Sequence, residues 1–343
     1  MATVIKERGS YDKGGYRDIF DVDTKESRLK VYIKSNLTVH DVPLVNEAVI
    51  EKEEFCASKF TFSVLKDDVM SFNEGDAVSV KFDGEGIFFG YVFTKVRDKE
   101  NVITVTCYDQ LRYLKNRRSY TRGRMSTEEV IRKIASDCAL RVGEIDRCNV
   151  MLPSVAADNV SLLDVIRKAC KDTESLSGKK YIFYDDYGKL YLKAEEGLIS
   201  DILIDSSLAE NYVYKDSIDN GVYNTVQLYS DTKRLNLRSL TTVSDKENMD
   251  KWGTLILSKK VTDPERSYDE ARMLLKEYNR VQREIVIKGV DGDFRLSPGW
   301  RFYLDMTMGD LAFDGYVRIR KALHRFENNC YRTDIYVDGS EVE

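Results

Sequence analysis

The sequence predicts a mainly β protein of the α+β class, built from two related tube-like β-barrels with inserted α/β and helical segments. Six strand-like runs without helical periodicity follow one another between residues 29 and 108. Three amphipathic helices, each preceded by a capping serine, follow at Ser126, Ser161 and Ser267. Four further strand-like runs close the chain. Because its 343 residues exceed the size of one hydrophobic core, we expect several domains.

Composition and charge exclude several classes of protein. The chain is 42% hydrophobic and 32% charged with a net charge of −5, which is typical of a folded protein and disfavours general nucleic-acid binding. Its six cysteines form no CxxC pair, so we expect reduced core residues. It contains no signal-peptide pattern and no apolar run of membrane-spanning length. We therefore expect synthesis in the cytoplasm and no membrane anchor.

The first predicted segments are an arm and a barrel. Residues 1–25 are polar and rich in glycine, and we expect an arm that orders against a partner through Tyr11, Tyr16 and Phe20. Residues 26–112 contain the six strand-like runs and form the predicted first barrel. The Asp83-Gly84 pair between two of these runs is a strong hairpin signal, because its turn type requires positive φ.

A joint is predicted where the first barrel ends. The segment DQLRYLKN has its two leucines on one face, which predicts a short helix that seals the barrel and leads into an insertion. Its residues are Asp109, Gln110, Leu111, Leu114 and Asn116. A basic loop with Tyr120 at its centre follows, and its arginines are Arg117, Arg118, Arg122 and Arg124. This pattern is compatible with nucleic-acid phosphates, with a subunit interface or with a solvated connection.

The predicted insertion covers residues 113–205. Ser126 and Glu129 have capping-box spacing, and Gly143 is the expected end of that helix. A second helix begins after Ser161, and the run YIFYDDYGKLYLK predicts a hairpin. Residues 206–239 and 284–343 form the predicted second barrel. A helical excursion at 240–283 interrupts it, and Ser267 and Glu270 are expected to cap its helix.

A repeat in the strands supports two related barrels. Each copy has a glycine at a strand start, an alternating run and a Gly-Tyr-Val triplet, with glycine-to-glycine separations of 15 and 16 residues. The corner and strand residues are Gly75, Asp76, Gly90 and Tyr91 in the first copy, and Gly299, Trp300, Gly315 and Tyr316 in the second. Two such barrels in a ring of three subunits would present six similar barrels and join sixfold to threefold symmetry.

The sequence predicts no catalytic, cofactor or metal site. His40 and His324 are the only histidines, and zinc-peptidase, serine-hydrolase and nucleotide-binding motifs are missing. The remaining candidates are carboxylates, interpreted as a solvated strand face and a hairpin turn: Glu47, Glu51, Glu53, Glu54, Asp185 and Asp186. The DGDF run from Asp291 to Phe294 predicts a tight turn. A cell-wall hydrolase with paired acids and an oligomeric surface- or carbohydrate-binding module remain alternatives.

Several segments resemble one known family, the baseplate hub proteins of contractile phage tails and phage-tail-like bacteriocins, in the XkdQ/YqbQ type of the late control D group. They are FNEGDAVSVKFDG, FFGYV, KVRDKENVITVTCYDQLRYLKN, RVGEI, SLLDVIRKA and KKYIFYDDYGKLYL, within residues 70–195. The resemblance implies a non-enzymatic homotrimer assembled into a virion tail or bacteriocin baseplate. It also implies partners: the tail-tube protein or tube-initiator ring, the central spike or tail hydrolase, other baseplate proteins, and DNA as transient cargo of the lumen.

Overall fold

The computed structural model describes residues 3–6, 28–66, 71–219, 221–232, 237–261, 264–309 and 311–339. The chain divides into a main unit, residues 1–212 with 286–337, and a small unit, residues 213–285 with 338–343. In the predicted arm, Thr3–Lys6 form a strand, whereas Tyr11, Tyr16 and Phe20 lie outside the described residues.

The first third of the chain consists of strands. They are β1 (Thr3–Lys6), β2 (Leu29–Ser35), β3 (Thr38–Asp41), β4 (Leu44–Glu53), β5 (Lys59–Leu65), β6 (Ala77–Phe82), β7 (Glu85–Arg97) and β8 (Val102–Tyr108). All six predicted strands are present. One core takes residues from successive strands, including Val31, Ala48, Phe62, Val80 and Val105, so the strands curve around a shared interior.

The middle third mixes helices and short strands. Its elements are a 3-10 helix (Gln110–Lys115), β9 (Arg117–Arg122), α1 (Thr127–Asp137), β10 (Val142–Ile145), β11 (Val155–Ser161), α2 (Leu162–Ser177), β12 (Tyr181–Asp186), β13 (Lys189–Ala194), a 3-10 turn (Glu195–Gly197) and β14 (Ile199–Asp205). The helices pack on the sheet β10-β13-β12, while β9 pairs with β11. The arginine segment predicted as a loop is therefore a strand, because β11 supplies its hydrogen-bonding partners.

The last third returns to strands. Its elements are β15 (Asn211–Ser217), β16 (Thr225–Thr232), β17 (Leu237–Ser244), α3 (Lys246–Trp252), β18 (Ile256–Lys260), α4 (Ser267–Tyr278), β19 (Gln282–Asp291), β20 (Arg301–Met308), β21 (Leu311–Glu327) and β22 (Cys330–Asp338). In the main unit the sheet order is β1-β3-β2-β6-β7-β8-β5-β4-β21-β22-β19, and β20 and β14 branch from β21. The mainly β, α+β fold class is confirmed.

The small unit differs from the predicted helical excursion. Its central strand β16 pairs antiparallel with β17 and parallel with β18, and α4 packs on this sheet through Ala271. The second-barrel assignment of residues 206–239 does not hold for β16, which lies in this separate sheet. Sequence reasoning missed β17 because its run is mostly polar, although Val243 packs on the unit's core. Similarly, β14 was assigned to the insertion but pairs with β20 of the main sheet.

Helix ends test the local predictions. The Ser126–Glu129 capping box and the Ser161 cap are both present and confirmed. Helix α1 ends at Asp137, where Ala139 takes the positive φ of 53°, so Gly143 is not its stop and lies in β10. Ser267 is the first residue of α4 and does not cap it, because its hydroxyl donates to the carbonyl of Pro264 instead.

The two repeat glycines occupy backbone corners with the same hydrogen bonds. Gly75 has φ +90° and donates its N–H to the carbonyl of Val92 at 2.8 Å; Gly299 has φ +87° and donates to the carbonyl of Ile319 at 2.8 Å. In each case the residue after the glycine accepts from the same partner's N–H at 2.9 Å. Positive φ is the conformation that favours glycine. The corners have equivalent backbones.

The Gly-Tyr-Val triplets, in contrast, are not equivalent. Three residues beyond the first corner glycine, Val78 pairs with Gly90, whereas three residues beyond the second corner glycine, Phe302 pairs with Val317. Gly315 lies two positions away from the structural counterpart of Gly90. A β-carbon on Gly90 would collide with the carbonyl oxygen of Tyr108, whereas one on Gly315 would make ordinary contact with Phe313 at 3.4 Å.

This difference predicts opposite tolerance to one substitution. Gly90→Ala should lower the free energy of unfolding by about 1–3 kcal/mol, because the added methyl overpacks β7 against β8. Gly315→Ala, the matched control in the same triplet, should change it by less than about 0.5 kcal/mol. Denaturant unfolding of both variants measures the difference. Equal losses would contradict the register described for the two strand pairs.

Candidate functional site: the junction around strand β4

Strand β4 connects the first group of strands to the last one through ion pairs. Along this seam Glu47 pairs with Arg325 at 3.1 Å, and Glu51 pairs with Lys321 and with Lys59. The glutamates predicted to form a solvated face therefore have basic partners on a strand about 270 positions away in the sequence. Partly exposed pairs of this kind contribute about 0–1 kcal/mol each, so they fix the register of β4 on β21 more than they stabilise it.

The seam ends at a buried arginine. Arg318 of β21 is 6% exposed and pairs with Glu54, the residue that follows β4. Its Nε also lies 3.3 Å from a carboxylate oxygen of Glu195, in the 3-10 turn after β13, and Lys180 pairs with that same glutamate. One guanidinium thus contacts carboxylates from two separate segments of the main unit. Removing either partner of such a buried pair leaves an uncompensated charge, which is strongly destabilising.

Two buried aspartates lie where the first group of strands meets the insertion. Asp109 caps the 3-10 helix, accepting from the N–H of Leu111 at 2.9 Å and from that of Ser58 at 2.8 Å. Asp185 accepts from the side-chain amide of Gln110 at 2.6 Å and from the N–H of Gly188 at 3.0 Å. The cap residue of one short helix therefore binds the residue before β5, and the first residue of that helix binds the β12–β13 hairpin.

A cavity of about 260 Å³ adjoins Asp185. Its polar wall includes Lys52 and Asp185, and its apolar wall includes Ile182, Phe294 and Trp300. Lys52 follows Ala48 and Ile50 on the same face of β4, so its ammonium group lies at the end of this row of core residues. The charges of Asp186, Asp185 and Asp109 act on this ammonium group.

Burial controls the protonation of this cluster. Burial raises the pKa of the Asp109 carboxyl to about 6, against the opposing hydrogen bonds from Ser58 and Leu111 and the charge of Lys52. Burial also raises the pKa of Asp185 well above its ordinary value, and the neighbouring Asp109 charge raises it further. For Lys52, burial lowers the pKa, and the nearby aspartates oppose that shift. The junction therefore holds ionisable groups whose charged forms are disfavoured by burial.

The β12–β13 hairpin contacts the strands through one tyrosine. Tyr187, at the turn with φ 43°, is 8% exposed and packs with Tyr32 and Phe89. Its hydroxyl shares a buried 2.7 Å hydrogen bond with Ser79 of β6. Its ring lies against Gly86, where any β-carbon would clash with it at 2.5 Å. This contact fixes the insertion on the outer side of β6 and β7.

The predicted joint residues lie at this junction, with one difference. Leu111 and Leu114 are buried in the core of the insertion together with α1 and α2, not in the core of the first strands. The short helix therefore belongs to the insertion and does not plug the barrel. Asn116 ends the 3-10 helix with its N–H on the carbonyl of Tyr113.

The predicted arginine patch and the strand residues occupy separate places. Arg122 is buried and donates to the carbonyl of Pro153 at 2.8 Å. The other three arginines of the patch, Arg117, Arg118 and Arg124, are exposed. The aromatic strand residues lie in ring pairs, Tyr91 with Tyr113 and Tyr303 with Tyr316. Asp76 accepts from the N–H of Asn73 in the first corner, and Trp300 lines the cavity.

Sequence reasoning missed Lys52, Tyr187 and Arg318. For Lys52 a signal existed, because it occupies the inward position of the alternation after Ala48 and Ile50. The partners of Tyr187 and Arg318 lie more than 100 positions away in sequence, so no local pattern identifies them.

Metal and membrane features were sought in the described part of the chain. It contains no group of three or more His, Cys, Asp or Glu side chains arranged to hold a metal ion. His324 is fully buried against Tyr331, and burial holds its pKa well below the usual value. Among the same residues, no helix has the length and apolar character needed to span a bilayer.

The fold places the chain in a structural class. It superposes on the 43 kDa tail protein of prophage MuSo2 from Shewanella oneidensis with a TM-score of 0.67 and 12% identity, over 92% of this chain and 100% of that one. It superposes on a tail protein from Neisseria meningitidis with a TM-score of 0.66 and 12% identity, over 92% and 97%. The chain therefore has the mainly β fold of phage tail proteins.

The sequence then identifies the family. The profile of the YQBQ-like family matches residues 51–338, and the chain belongs to this family. It is 33% identical over 196 residues to YqbQ of Bacillus subtilis, and 30% identical over 197 residues to XkdQ, a protein of the phage-like element PBSX of the same organism. Each match covers 56% of this chain and 59% of the relative. The predicted resemblance to the XkdQ/YqbQ type is confirmed.

The buried aspartates predict a specific pH dependence. Because the folded-state pKa values of Asp109 and Asp185 are raised, their protonated forms are favoured in the folded chain. Stability should therefore fall as pH rises from about 4 to about 6 and beyond, and the Asp109 shift alone corresponds to a loss on the order of 2–3 kcal/mol. Asp185→Asn should reduce this pH-dependent loss of stability, because it removes one of the two buried ionisable groups. The substitution should be tolerated, since Gln110 can turn its amide to accept from the new side chain.

Denaturant unfolding between pH 4 and pH 8 measures that effect as the difference between variant and unsubstituted chain. Asp158→Asn, at an exposed position of β11, is the control for removal of a surface carboxylate. An unchanged pH dependence in Asp185→Asn would contradict the proposed burial of an ionisable group at the junction.

The hairpin contact predicts a second outcome. Tyr187→Phe should lower the free energy of unfolding by about 1–2 kcal/mol, because it leaves the buried Ser79 hydroxyl unpaired. Adding Ser79→Ala should cost little more, since the two hydroxyls stabilise each other, and a double-mutant cycle measures this coupling. Tyr191→Phe is the control on the same hairpin. Strictly additive losses would show that the hydrogen bond contributes nothing.

Proposed function

We propose that this protein is the structural hub of a contractile-tail baseplate. Three copies would form a ring that joins the sixfold tail tube to the threefold central spike and continues the lumen of the tube. The observation that carries this proposal is the equivalence of the Gly75 and Gly299 corners, whose hydrogen bonds match within 0.1 Å. Because each chain has two such strand pairs, a ring of three chains would contain six similar elements.

The arrangement of strands supports the same role. The first barrel would be built on residues 26–112, and the second on residues 284–343 with β14. Both belong to one continuous sheet through the pairing of β4 with β21. The insertion, held by Tyr187 and by the helix after Asp109, would widen the contact with neighbouring baseplate proteins. Rigid attachment suits a part that transmits force between a tube and a spike.

The partners of the hub follow from this position. They would be the tail-tube protein or a tube-initiator ring above, the spike or a tail hydrolase below, and other baseplate proteins around it. DNA would pass through the lumen when the particle is a phage. The protein would be made in the host cytoplasm and assembled into a virion tail or a bacteriocin baseplate.

The same proposal makes the protein non-enzymatic. A cell-wall hydrolase is the competing candidate, because the buried carboxylate of Asp185 lines the junction cavity together with other acidic residues. In the folded chain, however, the oxygens of Asp109 accept from two backbone N–H groups and those of Asp185 from Gly188 and Gln110. Their hydrogen bonds serve the fold. Loss of turbidity in purified cell walls treated with the protein would favour the hydrolase.

The hub proposal predicts a copy number. Purified protein at high concentration should form assemblies with the mass of three chains, about three times 39.5 kDa, measurable by light scattering or native mass spectrometry. Electron micrographs of these assemblies should show a ring with a central channel. Assemblies of six copies, or a monomer at every concentration, would contradict the adaptor role.

A further inference from the structure

The junction cavity is large enough for one aromatic ring. Its volume is about 260 Å³, whereas an apolar cavity of about 150 Å³ in another protein already binds benzene. The side chains of Ile87 and Ile182 and the rings of Phe294 and Trp300 line one side of it. Apolar and aromatic side chains of this kind are the usual lining of small-molecule sites. The cavity therefore has the size and the wall to hold a single-ring molecule.

One amine in the lining has no direct partner. Lys52 is half-buried, and its ammonium group forms no hydrogen bond and no ion pair with another described residue. The buried carboxylate in the lining, Asp185, accepts from Gln110 and Gly188 instead. Burial lowers the pKa of Lys52 against the opposing charges of the nearby aspartates. A desolvated lysine is a better nucleophile, because more of it carries the neutral amine.

The two ends of the cavity carry opposite charges. Burial lowers the pKa of the fully buried His324, and the charge of Lys52 lowers it further, so Lys52 lies at the inner end. The exposed members of the lining are Glu85, Asp186 and Arg295. Arg295 pairs with two aspartates, whereas Glu85 and Asp186 form no ion pair with any residue that the structure describes. The acidic exposed end disfavours anions and the inner ammonium group disfavours cations, so a neutral molecule fits best.

We propose that the junction cavity binds neutral single-ring aromatic molecules, and that an aromatic aldehyde bound there forms an imine with Lys52. In this step the amine nitrogen attacks the carbonyl carbon, the nitrogen gives up two protons, and the carbonyl oxygen leaves as water. The step needs no oxidant or reductant, and hydrolysis returns the amine and the aldehyde. The imine is a bound state of the single chain, so this proposal does not rest on the ring of three.

Reductive trapping tests the site in the unsubstituted protein. Benzaldehyde and sodium cyanoborohydride are added at pH 7; the reagent delivers hydride to the imine and leaves a stable benzyl group, which peptide mapping by mass spectrometry locates. Lys52 should be labelled at least about tenfold faster than the exposed Lys99, since a solvated lysine is ordinarily almost entirely protonated at this pH. The rate at Lys52 should also saturate with benzaldehyde concentration. Equal rates at the two lysines would overturn the proposal.

Competition separates a ring site from a merely reactive lysine. Benzyl alcohol has the ring but no aldehyde, so it should slow the labelling of Lys52 and leave that of Lys99 unchanged. Labelling of Lys52 that benzyl alcohol does not slow would show that the cavity holds no aromatic ring, and the proposal would fail.

A charged aldehyde tests the acidic end. The anionic para-carboxybenzaldehyde should label Lys52 more slowly than benzaldehyde does. Glu85→Gln with Asp186→Asn should raise the ratio of anionic to neutral labelling at least about threefold, because two repelling charges are removed. The ratio cancels any change in the reactivity of the amine itself. Asp158→Asn with Glu174→Gln, at exposed positions outside the cavity lining, is the control. A ratio that the first pair of substitutions leaves unchanged would contradict the selection for neutral molecules.

Discussion

The pairing of β4 with β21 is the interaction on which the rest of the main unit depends. In the described sheet it is the single pairing between the first group of strands and the last, and it joins positions about 270 residues apart. The chain between them includes the insertion and the small unit. Because closing so long a loop costs conformational entropy, the register needs specific contacts, and the ion pairs of Glu47 and Glu51 supply them.

The junction keeps charges where an apolar core would be more stable. Burial disfavours the charged forms of Lys52, Asp109 and Asp185, which lowers the pKa of the lysine and raises those of the aspartates. In return for this cost, the insertion is held in a fixed orientation. Each aspartate accepts two hydrogen bonds from different segments, so the insertion can attach in one orientation only. In the proposed hub role, a fixed orientation of the insertion would matter more than maximal stability.

Local signals in the sequence predicted the local structure. Neighbouring residues indicate the strands of the first third, the capping box at Ser126 and the hairpin around Gly188, and each is present. Neighbouring residues do not indicate the partners that lie far away in the sequence. The repeat shows the limit clearly: matching triplets at Gly90 and Gly315 suggested one alignment, whereas the backbone hydrogen bonds shift it by two residues. A hairpin can lengthen by a few residues without moving its corner. The spacing of glycines in the sequence therefore does not identify equivalent positions, whereas the hydrogen-bonding register of the strands does.

The two corners finally show how one backbone turn can occur in two different surroundings. Their backbones are alike, but a β-carbon on Gly75 would meet no atom within 4 Å, whereas one on Gly299 would meet Ile182 of the insertion at 2.6 Å. The same turn is thus free in one place and covered in the other. In the proposed ring of three chains, the similar backbone corners would provide six similar elements. The covering of only one corner in each chain would then make alternate positions different, and a threefold partner could distinguish them.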